Sequence, residues 1–172
     1  VFDWTAERRE ELGRAALRLV LDWFETIGER RLYPDVSVSA LEARLSSALP
    51  MTPQDPGAIL AELADHVLPG MRDNGHPRMF GYVQSSGTFA GALGDFLASA
   101  LNQNVTSWRS APAATTIERQ VIGWIREIVG YDGDGLLVSG GSMANFVAIA
   151  AATAHVQPDI TRRGVRALAG DP

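Results

Sequence analysis

The chain has 172 residues and a formal net charge of −5, which results from 20 acidic and 15 basic side chains. It has no cysteine, and every basic residue is an arginine, because the sequence contains no lysine. Disulfides, thiolate nucleophiles and thiolate metal sites are therefore excluded, as is a Schiff base formed by this chain with an aldehyde cofactor. The negative net charge argues against a nucleic-acid-binding protein, which normally has a basic face.

Three amphipathic helices are predicted in the N-terminal part of the chain. Apolar residues recur every three or four positions over 5–31, which is typical of a helix with one buried stripe. Ser39 and Glu42 form a capping-box pattern for a short second helix. Asp55 and Pro56 supply an N-cap and a first-turn proline for a third. Three such helices cannot fill a large core, so we expect them to pack against another domain or subunit.

The middle of the chain predicts loops that alternate with helices. Segment 79–88 is rich in glycine, serine and aromatic residues, which indicates an ordered loop, and a helix is predicted over 89–101. Thr115 and Glu118 form a second capping-box pattern, and Gly130 is a plausible left-handed residue at the end of that helix. The residues expected to be buried on the 89–101 helix are Leu93, Phe96, Leu97, Ala100 and Leu101.

Only one strand is predicted, over 136–138, where a short apolar run follows a turn rich in glycine and aspartate. The strand leads into Gly140 and Gly141 and then into a helix from Ser142 to about His155. An unpaired strand leaves its amide and carbonyl groups unsatisfied, so its partner strands must come from residues outside this sequence. We therefore expect the chain to be a fragment.

Targeting and membrane signals are weak in this sequence. The first residues form neither a basic segment nor an apolar one of the kind that signal peptides have. The uncharged stretch 135–158 is interrupted by polar residues and predicts a buried strand, turn and helix instead of a membrane span. We expect a cytoplasmic protein that binds neither membrane nor nucleic acid, and we predict no metal site.

The glycine pair before the last predicted helix has the chemistry of an anion cradle. Gly140 and Gly141 let the backbone approach a ligand closely, and the free amides at the start of a helix favour a negative charge. The hydroxyl of Ser142 adds a hydrogen-bond donor. The stretch therefore predicts a phosphate site, although a plain turn with Ser142 as N-cap would produce the same residues.

Other known turns of this kind fit less well. A phosphate-binding P-loop needs a lysine, and a dinucleotide fingerprint needs a third glycine near Phe146. The segment also resembles the nucleophile elbow of an α/β-hydrolase, with Ser142 as the nucleophile. That fold needs several earlier strands and a later acid and histidine, and only His155 follows. A serine hydrolase remains the alternative function, and a non-catalytic helical interaction module is a third.

Five motifs, in this order and spacing, resemble a known family. They are segments 76–82, 102–105 and 110–115, Glu118, and segment 140–145. The chain is similar to the group II pyridoxal-phosphate-dependent amino-acid decarboxylases, the family of aromatic-L-amino-acid and glutamate decarboxylases. The resemblance spans nearly the whole chain and is strongest over 76–154.

The resemblance implies an α/β fold class, namely the fold-type-I large domain of pyridoxal-phosphate-dependent transferases. This chain would hold only the first strand and the flanking helices, so it would be mostly α. Residues 1–75 would form a three-helix arm that wraps the other subunit, and residues 76–172 would begin the large domain. The expected partner is a second subunit in an intertwined homodimer, to which loop 104–108 also contributes, or the chain's own missing C-terminal part.

The resemblance also assigns roles to individual residues. Gly140, Gly141 and Ser142 would hold the phosphate of pyridoxal 5′-phosphate. The substrate pocket would be lined by Tyr82, Val83, Ser85, Asn104 and Thr106. The family usually has an aromatic residue in place of Val83 and a proline in place of Gln84, so the resemblance does not define the shape of the pocket there.

No catalytic residue of the family is expected within this chain. The Schiff-base lysine, the aspartate on the ring nitrogen and the histidine that stacks on the ring are expected beyond Pro172. The intact enzyme would remove the α-carboxylate of an L-amino acid, aromatic or related, whereas the chain as numbered would be inactive.

Overall fold

The computed structural model describes residues 4–164, and all regular secondary structure within that range is helical. The α-helices are α1 (Ala6–Glu25), α2 (Val38–Leu45), α3 (Pro56–Glu62), α4 (Phe89–Leu101), α5 (Pro112–Val129), α6 (Gly141–Val156) and α7 (Ile160–Arg163). Contacts divide the chain into two units, Val1–Ala100 and Leu101–Pro172, and each is described by itself.

Helix α1 begins as predicted but ends earlier. The hydroxyl of Thr5 accepts a hydrogen bond from the Arg8 amide at 3.2 Å, which satisfies one donor of the first turn. The helix stops at Glu25, six residues before the predicted end at position 31. Thr26 comes next, and its hydroxyl donates to the Asp22 carbonyl at 2.6 Å. This side-chain hydrogen bond satisfies a carbonyl group of the last helical turn.

A buried ion pair fixes the chain that leaves α1. The Arg30 guanidinium lies 3.8 Å above the Trp23 ring and donates to Asp73 Oδ2 at 2.6 Å. Asp73 is 2% exposed, and its other carboxylate oxygen accepts from the Gly75 amide at 3.2 Å. The Asp73 amide in turn donates to the Leu32 carbonyl at 3.2 Å. These bonds tie the end of α1 to the turn that precedes loop 79–88.

Capping side chains set the starts of α2 and α3. The prediction of Ser39 as the cap of α2 is wrong, because the hydroxyl of Ser37 accepts from the Ala40 amide at 3.1 Å. Ser37 has the extended backbone that an N-cap requires, whereas Ser39 already lies inside the helix. The prediction for α3 is confirmed, since the Asp55 carboxylate accepts from the Ala58 amide at 3.1 Å.

The helical backbone changes pitch twice after α3. A π-helical turn covers Leu63–Val67, and a 3₁₀ turn covers Leu68–Gly70. Pro69 lies in the first turn of the 3₁₀ segment, where its missing amide hydrogen costs nothing. The predicted third helix therefore continues to Val67 in π form and not in α form.

Helix α5 is longer at its start than predicted. It begins at Pro112, so the predicted capping box at Thr115 is wrong. Thr115 is a buried residue within the helix and not its cap, because proline at the first position already favours helix initiation. The predicted end is confirmed, since Gly130 has φ +67° and the Tyr131 amide donates to the Arg126 carbonyl at 3.0 Å.

The predicted strand over 136–138 is wrong. No strand occurs among residues 4–164, and Leu136 and Leu137 are 60% and 55% exposed. A β-ladder requires hydrogen bonds to a second strand, and the described residues offer none to this segment. The two leucines are therefore exposed, and the segment has no strand to pair with among the described residues.

Few apolar side chains are buried within the described residues; Leu12 and Ala111 are the buried ones. The predicted burial of the α4 stripe is wrong, because each of its five members is exposed. Leu93 and Phe96 of this stripe instead line an apolar groove of about 500 Å³ together with Leu17 of α1. None of the described helices has the length and apolar character needed to cross a bilayer.

Candidate functional site

The glycine turn before α6 has a backbone conformation that requires glycine. Gly140 has φ +103° and ψ 174°, a combination that side chains with a Cβ essentially never adopt. Its amide donates to the Val138 carbonyl at 2.9 Å, which closes the turn tightly. A Cβ built on Gly140 or Gly141 would meet no atom within 4 Å, so the space beside the turn is open.

The first turn of α6 has its amide groups free for an external acceptor. The bond from the Ala144 amide to the Gly140 carbonyl, at 3.0 Å, is the first of the helix. No side chain among the described residues caps this helix, and its first turn contains no acidic residue. The amides of Gly141, Ser142 and Met143 therefore present donors at the positive end of the helix dipole. Ser142 is exposed, which adds its hydroxyl.

The described geometry gives Ser142 no histidine base within α6. Ser142 and His155 lie near opposite ends of this 16-residue helix. At 1.5 Å of rise per residue their backbones are about 20 Å apart along the axis, which is far beyond hydrogen-bond reach. Proton transfer between these two side chains, as a serine hydrolase would need, is excluded by that separation.

The predicted pocket residues of the N-terminal unit lie on a loop that presents its side chains outward. Tyr82 has φ +67°, which is unusual for a residue with a side chain, and its side chain is 77% exposed. Val83 and Ser85 are also exposed. Sequence reasoning did not find Arg72, whose guanidinium lies 4.6 Å above the Tyr82 ring. A contact across ten positions of irregular chain leaves no periodic signal in a sequence.

A histidine orders the start of the same loop. His76 is 4% exposed, and its Nδ1 accepts from the Arg78 amide at 3.0 Å. The Met79 amide donates to the His76 carbonyl at 2.8 Å. These two bonds make a compact turn, so the loop leaves the buried Asp73 region with a defined direction.

The predicted pocket residues of the C-terminal unit form a local turn. Asn104 Oδ1 accepts from the Thr106 amide at 3.0 Å, which is the hydrogen bond of an Asx turn. Both side chains are exposed. Asn104, Thr106 and the glycine turn belong to one unit, and Tyr82, Val83 and Ser85 belong to the other.

Comparison with known proteins identifies the family. The model of the pyridoxal-dependent decarboxylase conserved domain matches residues 39–170. The chain belongs to the pyridoxal-dependent decarboxylases. The resemblance inferred from the motifs is thereby confirmed.

Curated relatives of this decarboxylase chain act on different amino acids. The aromatic-L-amino-acid decarboxylase of Bacillus atrophaeus is 30% identical over 150 residues, which cover 86% of this chain and 31% of that protein. The histidine decarboxylase of Homo sapiens is 29% identical over 157 residues, covering 85% of this chain and 24% of that protein. The decarboxylase chain thus spans about a third or less of the length of these relatives.

Solved structures confirm the fold of the decarboxylase chain. Mouse CSAD matches with a TM-score of 0.84 at 25% identity, over 95% of this chain and 35% of that one. The structure of Oryza sativa TDC with PLP and tryptamine matches with a TM-score of 0.69 at 23% identity, over 77% and 28% of the two chains. The chain therefore shares the fold of these solved structures over the matched part, although the described residues contain no strand.

The glycine turn fits a phosphate monoester. Because neither Gly140 nor Gly141 has a side chain, a ligand group can occupy the open space beside the turn. The free amides of the first turn of α6 and the hydroxyl of Ser142 are the donors that phosphate oxygens need. These residues therefore suit the phosphate of pyridoxal 5′-phosphate.

Proposed function

We propose that this chain is part of a pyridoxal-phosphate-dependent enzyme that decarboxylates an L-amino acid, aromatic or related. The observation that carries the proposal is the uncapped start of α6, with Gly140 at φ +103° and Ser142 exposed, in a chain of this family. When bound, the cofactor supplies an electron sink for the electron pair left by the departing carboxylate.

Three residues of this chain would hold the cofactor's phosphate. Gly140 allows the backbone to turn with no side chain in the way, and Gly141 and Ser142 donate their amides. The Ser142 hydroxyl adds a charge-assisted hydrogen bond, which is stronger than one between neutral groups. The cofactor is thereby oriented from its phosphate end.

Five loop residues would contribute to the substrate pocket. We assign this role to the side chains of Tyr82, Val83, Ser85, Asn104 and Thr106. Residues 1–75 would serve as the arm of a homodimer, and residues 76–172 as the beginning of the cofactor-binding domain. The exposed apolar groove between α1 and α4 supports the homodimer, because an apolar surface of this kind needs a partner that covers it.

The catalytic lysine must come from residues other than these, because the sequence contains none. We therefore propose that the 172 residues alone do not decarboxylate an amino acid. We place the whole enzyme in the cytoplasm, and we assign no role in catalysis to any side chain of this chain.

The Ser142→Ala variant of the whole enzyme tests the phosphate site. Loss of a hydrogen bond to a charged group should weaken the binding of pyridoxal 5′-phosphate by about 1–3 kcal/mol. The dissociation constant is measured by titrating the apoenzyme and following the absorbance of the bound cofactor.

Ser139→Ala is the matched control for this experiment. Ser139 is an exposed serine three positions earlier, outside α6, so its removal should leave the cofactor affinity unchanged. Equal affinity in the wild type and the Ser142→Ala variant, or an equal loss in both variants, would contradict the assignment of the phosphate to Ser142.

A further inference from the structure

Arg72 differs from the other half-buried arginines of the described residues. Four arginines have intermediate exposure, namely Arg8, Arg30, Arg72 and Arg126. Three of them lie within 4.0 Å of a carboxylate oxygen. Arg72 has no acidic partner within the part of the chain that the structure describes. Its position is therefore set by something other than an ion pair.

Neutral groups and one aromatic ring hold the Arg72 guanidinium. Its Nη2 donates to Gln84 Oε1 at 2.6 Å, and its Nε donates to Asn74 Oδ1 at 3.1 Å. The guanidinium carbon lies 4.6 Å from the centroid of the Tyr82 ring, within the range of a cation–π interaction. One side chain thus contacts residues on both sides of Val83.

The loop segment 80–86 has few other restraints. The bond from Arg72 to Gln84 is the one side-chain hydrogen bond that reaches this segment from the described residues. Tyr82 has φ +67°, a conformation that costs free energy for a residue with a Cβ and persists only when the surroundings hold it. The stacked guanidinium is the described contact that can hold it.

We propose that Arg72 is a positioning residue for the substrate pocket. Its guanidinium fixes Tyr82 and Gln84, and so sets the geometry in which segment 80–86 meets the amino-acid substrate. This inference rests on the proposed function, which assigns Tyr82 and Val83 to that pocket. A planar guanidinium is required, because a lysine ammonium would keep the charge but lose the stacking face and the fixed fork of donors.

Limited proteolysis of the whole enzyme with chymotrypsin tests the positioning without any need for catalysis, because Phe80 and Tyr82 are aromatic cleavage points in this exposed loop. In the Arg72→Ala variant cleavage within segment 80–86 should be roughly tenfold faster, since a cation–π contact and a charge-assisted hydrogen bond are lost. Arg78→Ala is the matched control, because Arg78 is an exposed arginine beside the same loop whose side chain has no described partner. It should leave the cleavage rate unchanged.

A second substitution tests the contact with Gln84. Gln84→Glu replaces the neutral acceptor of the Arg72 hydrogen bond with a carboxylate and so makes an ion pair, which should slow the cleavage within segment 80–86. The same substitution in the Arg72→Ala variant should have no such effect. Slower cleavage that persists without Arg72, or unchanged cleavage in Arg72→Ala, would overturn the proposal.

Kinetics of the whole enzyme test the consequence for the substrate. Arg72→Ala should raise KM roughly tenfold, about 1.4 kcal/mol, while the affinity for pyridoxal 5′-phosphate stays unchanged. Arg72→Lys should restore little of the loss. A rise in KM confined to substrates with acidic side chains would overturn the proposal, because Arg72 would then bind the substrate itself. Altered cleavage together with the failure of the Ser142 test would refute the proposed function, whereas the contact between Arg72 and the loop would still hold.

Discussion

Gly140 shows how one backbone conformation controls the glycine turn. Its φ of +103° belongs to a region that only glycine occupies readily. Gly140→Ala should therefore lower the free energy of unfolding by about 1–3 kcal/mol, even though its Cβ would meet no atom within 4 Å. Urea unfolding of the chain, followed by circular dichroism, measures the change.

The adjacent Gly141 is the control for this prediction. Gly141 is the first residue of α6, its φ is not positive, and the space around it is equally open. Gly141→Ala should leave the stability unchanged or raise it by a few tenths of a kcal/mol, because alanine favours helix. Equal losses in the two variants would show that the backbone conformation of Gly140 is not the cause.

Residues whose role depends on near neighbours were predictable from the sequence. Asp55 as a cap, Gly130 as a left-handed helix end and the start of a helix directly after Gly140 follow from short-range chemistry. The contact of Arg72 with Tyr82 was not predictable, because it joins two positions through an irregular loop. The buried pairing of Arg30 with Asp73 is of the same kind, since 43 positions separate the two residues.

At the scale of elements, the start of α2 gives a clear test of capping. The helix has eight residues, which is too short to be stable alone, so its cap matters. Ser37→Ala should weaken the helix by about 1 kcal/mol, because the Ala40 amide loses its acceptor. Ser39→Ala should have a smaller effect, because the Ser39 hydroxyl contacts the Ser37 hydroxyl at 3.2 Å but accepts from no described amide. Hydrogen exchange of the Ala40 amide measures both, and a larger effect at Ser39 would contradict the observed cap.

The sequence of an element does not reveal the surfaces that pack against it, so burial and strand pairing are harder to predict than helix positions. The positions of α1 and α4 follow from helical periodicity, and the bounds of α4 are those predicted. The burial of α4 and the strand at 136–138 were wrong, because burial and strand pairing require a second surface. Periodicity indicates which face of an element is apolar, but it does not supply the partner that covers that face.

At the scale of the molecule, the described residues expose many large apolar side chains. Leu12 and Ala111 are the buried apolar residues among them, whereas Phe80 and Ile128 are 91% and 84% exposed. The chain alone should therefore bind an apolar dye and associate, sedimenting as a species heavier than 18.5 kDa. A monomer with no dye binding in sedimentation velocity would contradict this expectation.

The groove between α1 and α4 is where we expect this association to begin. Phe96 lines the groove and is 67% exposed, so Phe96→Ser should reduce the association measurably. Leu49 is 80% exposed but lies outside any helix and outside the groove. Leu49→Ser is therefore the control, and equal effects of the two variants would show that the association is unspecific.

The π-helical turn at Leu63–Val67 gives the chain a point where its length can vary. A π turn holds one more residue in each hydrogen-bonded ring than an α turn does. Loss of a single residue here would let the backbone revert to α geometry with little change in the chain beyond Val67. The same loss within α5 would rotate every later side chain by about 100° around the helix axis. In an alignment with its relatives, a gap of one residue is therefore best placed between Leu63 and Val67.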